Sequence, residues 1–107
     1  MDLFDAAIEL VREERRRQFE KWGKQDHNLF VWMSILMEEV GEASQAALHQ
    51  VFGGKAKGTF GIEIIHVAAV AIQIVEWILD AEKQDTSEDG RDDYHHSTSM
   101  EPEPPQE

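Results

Sequence analysis

Apolar residues recur every three or four positions along three segments of the chain, a period typical of amphipathic α-helices. The first segment covers residues 3–22, and its charged residues 13–17 are predicted to form a solvated face. The second covers residues 28–51, with the asparagine at its start as the predicted N-cap. The third starts at residues 59–62 and ends around Lys83. The pattern therefore predicts an all-α fold, an antiparallel bundle of three main helices with room for a short fourth.

The third segment is apolar on nearly every side. Its many β-branched residues make a strand the competing interpretation, but its length, its lack of interior glycine and its lack of alternation favour a buried helix. A helix that is apolar all round must be covered all round, and two other helices can hardly do this alone. We therefore expect the core to be completed by dimerisation, in a homodimer or a dimer of dimers.

Charge divides the chain into two parts. The formal net charge is −12, and residues 85–107 account for −7 of it while also containing all three prolines and very few apolar residues. Such a composition cannot offset the entropy of ordering, so we expect residues 85–107 to form a disordered acidic tail. Residues 1–84 remain as one helical domain, a size at which a single core is marginal.

Composition also excludes several classes of partner. The excess of acid argues against nucleic-acid binding, which needs clustered Lys and Arg. The most apolar window, residues 62–79, contains Glu63, His66, Gln73 and Glu76, which argues against a membrane span. Absence of cysteine and of a basic, then apolar, N-terminal segment leads us to expect a cytoplasmic protein.

Acidic side chains cluster on the second and third predicted helices. Glu38, Glu39 and Glu42 fall on neighbouring positions of the second helix, and Glu63 and His66 are three residues apart on the third. A solvated acidic face, an acid at a helix N-terminus and a histidine within the core would each explain part of this set. Taken together, however, these side chains supply the oxygen and nitrogen ligands that a divalent cation requires.

Two connecting segments hold further candidates for ligand binding. The glycine-rich stretch 52–61 contains Lys55 and Lys57, which could contact phosphates, although a flexible linker explains them equally well. The stretch 21–32 combines aromatic side chains that can stack on a base with polar ones that can recognise its edge, or it is simply a capped turn. Its candidate substrate-binding residues are Trp22, Gln25, Asp26, His27 and Trp32.

Three stretches of the chain, RQFEKWGKQDH, WMSILMEEVGEASQAAL and EIIHVAAVAIQIVEWI, resemble the MazG-like all-α nucleoside triphosphate pyrophosphatases, especially the short phage and prophage type. The resemblance covers about residues 16–78. The family pattern is EExxE, a loop and then ExxD, whose acids bind Mg²⁺. It implies hydrolysis of a nucleoside triphosphate, ribo or deoxy, to the monophosphate and pyrophosphate.

Carried onto this sequence, the resemblance implies that Glu39, Glu42 and Glu63 are metal ligands. Glu38 would be the catalytic base or a ligand of a second metal. The chain departs from the pattern at His66, which stands where the family has Asp. An imidazole prefers softer ions than Mg²⁺, so Mn²⁺ is a second candidate metal, and His66 is either a ligand or a contact to substrate.

Two other classes of function remain open on sequence grounds. Glu63-x-x-His66 is also half of the motif of helical di-iron carboxylate proteins, which a dimer could complete with Glu39 or Glu42. Alternatively, the chain is a non-catalytic interaction module that keeps the helical fold and has lost the chemistry at position 66.

Overall fold

A computed structural model describes residues 2–89, and within this range all regular secondary structure is helical. It forms α1 (Leu3–Trp22), α2 (Leu29–Phe52) and α3 (Phe60–Asp89), without any strand in the described range. The prediction of an all-α bundle of three helices is thus confirmed, and residues 2–89 include no fourth helix. Because residues 23–28 and 53–59 are short connections, consecutive helices run antiparallel.

Side chains and glycines define the helix ends. The Asp2 carboxylate accepts a hydrogen bond from the Asp5 N–H at 2.8 Å and caps α1. The predicted N-cap of α2 is confirmed, because the Asn28 side chain accepts from the Val31 N–H at 3.0 Å. Gly53 ends α2 with a φ of 95°, a backbone conformation that L-residues rarely adopt, and its N–H donates to a carbonyl of the preceding turn.

The third helix is longer than the sequence pattern predicts. It continues past Lys83 to Asp89, so the first residues of the segment 85–107, predicted to be a disordered tail, are helical. Residues 90–107 lie outside the described residues. The chain divides inside α3 into two compact units, Met1–Gln73 and Ile74–Glu107.

The first unit contains α1, α2 and the start of α3. Its buried apolar core is small, and it consists of Trp32, Ala43, Ala46, Ala69 and Val70. Three of these five residues are alanines, and small side chains at a helix contact let the two backbones approach closely. The second unit is described only over residues 74–89, where the chain is helical.

One side of α3 exposes an apolar stripe. Ile64, Ile72, Val75 and Leu79 lie within one quadrant of the helix and are between 43% and 57% exposed. A single chain does not test dimerisation, which stays a prediction. The stretch Phe60–Gln84 is also long and apolar enough to cross a membrane, a criterion of length and composition that core helices of soluble proteins meet as well.

Candidate metal centre

A cleft of about 430 Å³ lies in the first unit, between side chains of all three helices and of the turn that follows α1. Its volume falls within the range of about 300–1,000 Å³ that is usual for small-molecule sites. Acidic, basic and aromatic side chains share its walls. The lining residues are Glu14, Arg17, Gln18, Lys21, Trp22, Gln25, His27, Ile35, Glu39, Glu42, Glu63, His66, Val70 and Gln73.

Three potential ligand atoms converge in this cleft. Glu39 of α2 and Glu63 and His66 of α3 each offer one donor atom, and the three atoms lie within 4.8 Å of one another. His66 Nδ1 is 3.4 Å from Glu63 Oε1 and 3.8 Å from Glu39 Oε1. The three-residue spacing places Glu63 and His66 on one side of α3, and packing against α2 brings Glu39 to the same point.

The carboxylates of this group are incompletely satisfied. Glu39 Oε1 and Glu63 Oε1 are buried, and neither atom has a hydrogen-bond partner among the described residues. Burial raises the pKa of Glu39, and the nearby carboxylate of Glu42 raises it further. Buried anionic oxygens without hydrogen-bond donors destabilise the folded state, and a cation between them would remove this destabilisation. The donor set of two carboxylates and an imidazole therefore fits a divalent metal ion.

A third carboxylate approaches His66 from α1. Glu14 Oε2 lies 3.6 Å from His66 Nε2, and the Glu14 side chain is only 10% exposed. Arg17 donates two hydrogen bonds to the Glu14 carboxylate, at 2.9 and 2.7 Å, and Gln18 donates a third at 3.1 Å. The hydrogen bond from Arg17 is the main reason why the pKa of Glu14 is lowered. The prediction that Glu14 belongs to a solvated face is therefore wrong.

Of the three acids predicted on α2, two line the cleft. Glu39 and Glu42 do so, whereas Glu38 lies in a neighbouring depression, which shares only Ile35 with the cleft and is otherwise lined by Phe30, Val31 and Ser34. The reason is helical geometry, because Glu38 is rotated by about 100° from Glu39 around the axis of α2. The position of Glu38 offers no support for its predicted role as the catalytic base.

The predicted phosphate-binding lysines lie elsewhere in the first unit. Lys55 and Lys57 are exposed in the turn between α2 and α3 and are not among the residues that line the cleft. This turn is fixed to the end of α2, because the Ala56 N–H donates to His49 Nδ1 at 3.0 Å and the Gly58 N–H donates to Gln50 Oε1 at 2.9 Å. The two basic side chains that do line the cleft are Arg17 and Lys21.

The predicted base-binding residues separate into two groups. Trp22, Gln25 and His27 line the cleft, whereas Asp26 is not among its lining residues. Trp32 is 1% exposed, so its indole packs in the core and cannot stack on a ligand. It supports the site indirectly, since its ring contacts the His27 ring edge-on at a centroid distance of 4.9 Å.

Of the α1 residues that line this cleft, the sequence predicted Trp22 and missed Glu14, Arg17, Gln18 and Lys21. A signal for part of this set was present. Glu14 and Gln18 follow Val11 at intervals of three and four residues, and therefore extend the inward side of α1. Their polar side chains favour a solvent-exposed position, whereas their spacing from Val11 predicts that they face the interior.

Comparisons with protein-family models, with curated proteins and with solved structures find no significant match to this chain. The function therefore has to be argued from the chemistry of the cleft.

Proposed function

We propose that this protein is a metal-dependent nucleoside triphosphate pyrophosphohydrolase, which converts a nucleoside triphosphate, ribo or deoxy, to the monophosphate and pyrophosphate. The observation that supports this most directly is the group formed by Glu39, Glu63 and His66, whose donor atoms lie within 4.8 Å of one another. This group opens into a cleft that also contains cationic and aromatic side chains. A nucleoside triphosphate presents the complementary chemistry, a polyanion joined to an aromatic base.

In this proposal Glu39, Glu63 and His66 hold Mg²⁺ or Mn²⁺. The imidazole favours Mn²⁺ over Mg²⁺, because nitrogen is a softer donor than oxygen. When bound, the ion supplies Lewis-acid stabilisation of phosphate charge and acidifies a water molecule. A bound cation also satisfies the two buried carboxylate oxygens that have no partner among the described residues.

The α1 residues of the cleft are suited to the rest of the substrate. Lys21 supplies a positive charge for the phosphate chain, one helical turn from Arg17, whose guanidinium is paired with Glu14. Trp22 is 60% exposed, and Lys21 Nζ lies over one face of its ring at 5.0 Å from the centre, which leaves the other face for stacking on a base. Gln25 and His27 are near enough in the same cleft to contact the edge of the base.

We assign the proton-accepting role to Glu42 rather than to Glu38. Glu42 lines the cleft, whereas Glu38 is not among its lining residues. A carboxylate in this position can take a proton from the water that attacks the α-phosphorus. Pyrophosphate then leaves, with the Lys21 ammonium as the nearby side-chain cation that offsets part of its charge. No nucleophile from the protein is required.

The decisive experiment is to measure pyrophosphate release from a panel of ribo- and deoxyribonucleoside triphosphates with Mg²⁺, with Mn²⁺ and with a chelator. We expect metal-dependent release by the wild type and a loss of at least about 100-fold for Glu63→Gln, since removing one electrostatic element of a site commonly costs this much. Glu13→Gln is the matched control, because Glu13 is an exposed acid outside the cleft. Equal rates of pyrophosphate release for wild type and Glu63→Gln would contradict the enzymatic proposal and favour the non-catalytic interaction module.

One observation also favours a di-iron carboxylate centre. Glu39 from one helix and Glu63-x-x-His66 from the next form half of the ligand set of such bundles. That class of site has no use for the cationic and aromatic residues Arg17, Lys21 and Trp22, which is why we rank it second. Anaerobic loading with Fe²⁺ followed by exposure to air would produce an absorption band if a di-iron centre forms, and no band if it does not.

A further inference from the structure

His66 presents its two ring nitrogens to different sides of the cleft. Nε2 faces Glu14 of α1 at 3.6 Å, whereas Nδ1 faces Glu63 at 3.4 Å and Glu39 at 3.8 Å. The ring therefore lies between a carboxylate on α1 and the carboxylate pair that we propose to bind metal. A neutral imidazole has one proton, so one of its nitrogens donates and the other offers a lone pair.

Glu14 is restricted to accepting hydrogen bonds. Two hydrogen bonds from Arg17 and one from Gln18 fix its carboxylate, and its side chain is only 10% exposed. An ionised carboxylate has no proton to donate, so the only favourable partner that it can find in His66 is an N–H on Nε2. Glu63 and Glu39 make the same demand on Nδ1, so a metal ion decides the tautomer: when Nδ1 offers its lone pair to the ion, the proton of a neutral His66 lies on Nε2, which faces Glu14.

A lone pair on Nδ1 points into a group that already lacks donors. Glu39 Oε1 and Glu63 Oε1 are both buried, and neither has a hydrogen-bond partner among the described residues. A charged imidazolium would be the alternative to a metal, but it places a single positive charge among three carboxylates, Glu14, Glu39 and Glu63. A divalent ion held by Nδ1 and the two Oε1 atoms satisfies all three donor atoms at once.

We propose that Glu14 is a positioning residue for the metal centre: its carboxylate, 3.6 Å from Nε2 of His66, accepts a hydrogen bond from Nε2–H when the metal ion is bound, and thereby presents Nδ1 to the ion. The inference rests on the proposed function, since it concerns the same metal site, and it adds a ligand-orienting role for α1. Carboxylates that bind the distal nitrogen of a metal-bound histidine fix its tautomer and its ring orientation.

The proposal makes Glu14 and His66 a matched pair. An aspartate at position 66 would have no N–H to donate to Glu14, so Glu14 can assist the metal only when position 66 is a histidine. This dependence separates a positioning role from a general electrostatic one. A carboxylate that merely attracts the cation would help in both backgrounds.

The test is a double-mutant cycle on the affinity for Mn²⁺, measured without substrate by the electron paramagnetic resonance signal of the free ion. We expect Glu14→Gln to weaken Mn²⁺ binding by about 10- to 100-fold, the usual cost of losing such a partner. Glu13→Gln, the neighbouring exposed acid on α1, should bind like the wild type. In the His66→Asp background, Glu14→Gln should cause no further weakening.

Several results would overturn this proposal. These are unchanged affinity in Glu14→Gln, an equal loss in the His66→Asp background, and absence of Mn²⁺ binding to the wild type. A measurement without variants covers the case in which Glu14→Gln does not fold: ¹⁵N NMR of the Zn²⁺-loaded wild type should show a proton on Nε2 of His66 and metal on Nδ1, and the reverse assignment contradicts the proposal. A wild type that binds Mn²⁺ but releases no pyrophosphate contradicts the proposed function alone.

Discussion

At the scale of single residues, the candidate site works against the stability of the metal-free protein. Glu39 lies with one oxygen buried and unpartnered among the described residues, close to the carboxylates of Glu42 and Glu63. Burial and these like charges raise its pKa, which means that the folded state disfavours the ionised form. For an acid with a raised pKa, the unfavourable contribution is absent below the unfolded pKa and is complete above the folded one. At neutral pH the metal-free fold therefore bears this cost.

Glu39→Gln should accordingly stabilise the metal-free protein at neutral pH. We expect an increase of up to about 1 kcal/mol, the size of an ordinary improvement in surface charge, or roughly 4–8 °C in Tm for a domain of this length. Saturating Mn²⁺ should raise the Tm of the wild type and leave that of Glu39→Gln unchanged. Thermal unfolding followed by circular dichroism, with and without metal, measures both effects. A lower Tm for metal-free Glu39→Gln would show that this carboxylate is stabilised by contacts other than those described.

His66→Asp tests the metal preference of the site. Replacing a nitrogen donor by a carboxylate restores the oxygen-only set that Mg²⁺ favours and adds a negative charge. We expect pyrophosphate release with Mg²⁺ to be retained or increased, and the advantage of Mn²⁺ over Mg²⁺ to become smaller. Parallel rate measurements with the two ions give this ratio directly. Complete loss of activity with both ions would show that the imidazole has a role that a carboxylate cannot take.

At the scale of elements, the turn between α2 and α3 is fixed by a contact that only glycine permits. Gly54 has a φ of +148°, and a Cβ at this position would lie 2.5 Å from the ring of His49. The same ring accepts the Ala56 N–H through Nδ1. The His49 ring, the glycine and the turn that leads into α3 therefore form one packed unit.

Gly54→Ala should destabilise the fold by about 1–3 kcal/mol, which combines backbone strain with the displacement of His49. Gly58→Ala in the same turn is the matched control, because Gly58 also has a positive φ of 91° but no atom within 4 Å of the added methyl group. The difference between the two variants in urea unfolding measures the clash alone. The interpretation is wrong if Gly58→Ala lowers the free energy of unfolding as much as Gly54→Ala does. It is also wrong if adding His49→Ala to Gly54→Ala restores none of the lost stability.

Most of the local structure could be predicted from the sequence. Residues 3–22 match α1, and the Asn28 cap locates the start of α2, because capping and apolar period are properties of neighbouring residues. The end of α3 was predicted too early, at Lys83 rather than Asp89. The acidic composition that predicts a disordered tail does not itself stop a helix once one has formed, and no Pro or Gly occurs between these two positions.

At the scale of the whole molecule, the exposed apolar side chains of α3 bear on assembly. Ile64, Ile72, Val75 and Leu79 share one exposed side of α3, and each is more than two-fifths exposed. Contiguous apolar patches of this kind mark interfaces in soluble proteins. We propose that a second copy of the chain covers this stripe, because a small helical domain with few buried residues gains a core by dimerising.

Val75→Glu should therefore convert a dimer into a monomer, as measured by size-exclusion chromatography with light scattering. Leu3→Glu is the control, because Leu3 is 88% exposed on α1, outside the stripe, and should leave the dimer intact. A wild type that is monomeric at micromolar concentration would contradict the proposal. So would a wild type that requires detergent or enters lipid vesicles, since α3 is also long and apolar enough to span a membrane.

By itself, the sequence determined the helical class, the start of each helix and the clustering of acids on α2 and α3. These features depend on residues within a few positions of one another, and the helical period shows which of those residues share a face. It also paired Glu63 with His66 on one face of α3, since three residues separate them.

Only the tertiary structure decided which acids meet. The rotation of α2 against α3 brings Glu39 and Glu42 into the cleft and leaves Glu38 outside it. The packing of α1 adds Glu14 and Arg17 to the cleft. Lys55 and Lys57, in the turn between α2 and α3, do not line it. The physical reason is that periodicity fixes which residues share a face of one helix, whereas the rotation and the approach of whole helices depend on packing between residues distant in sequence. The metal centre that we propose lies at that junction of helices.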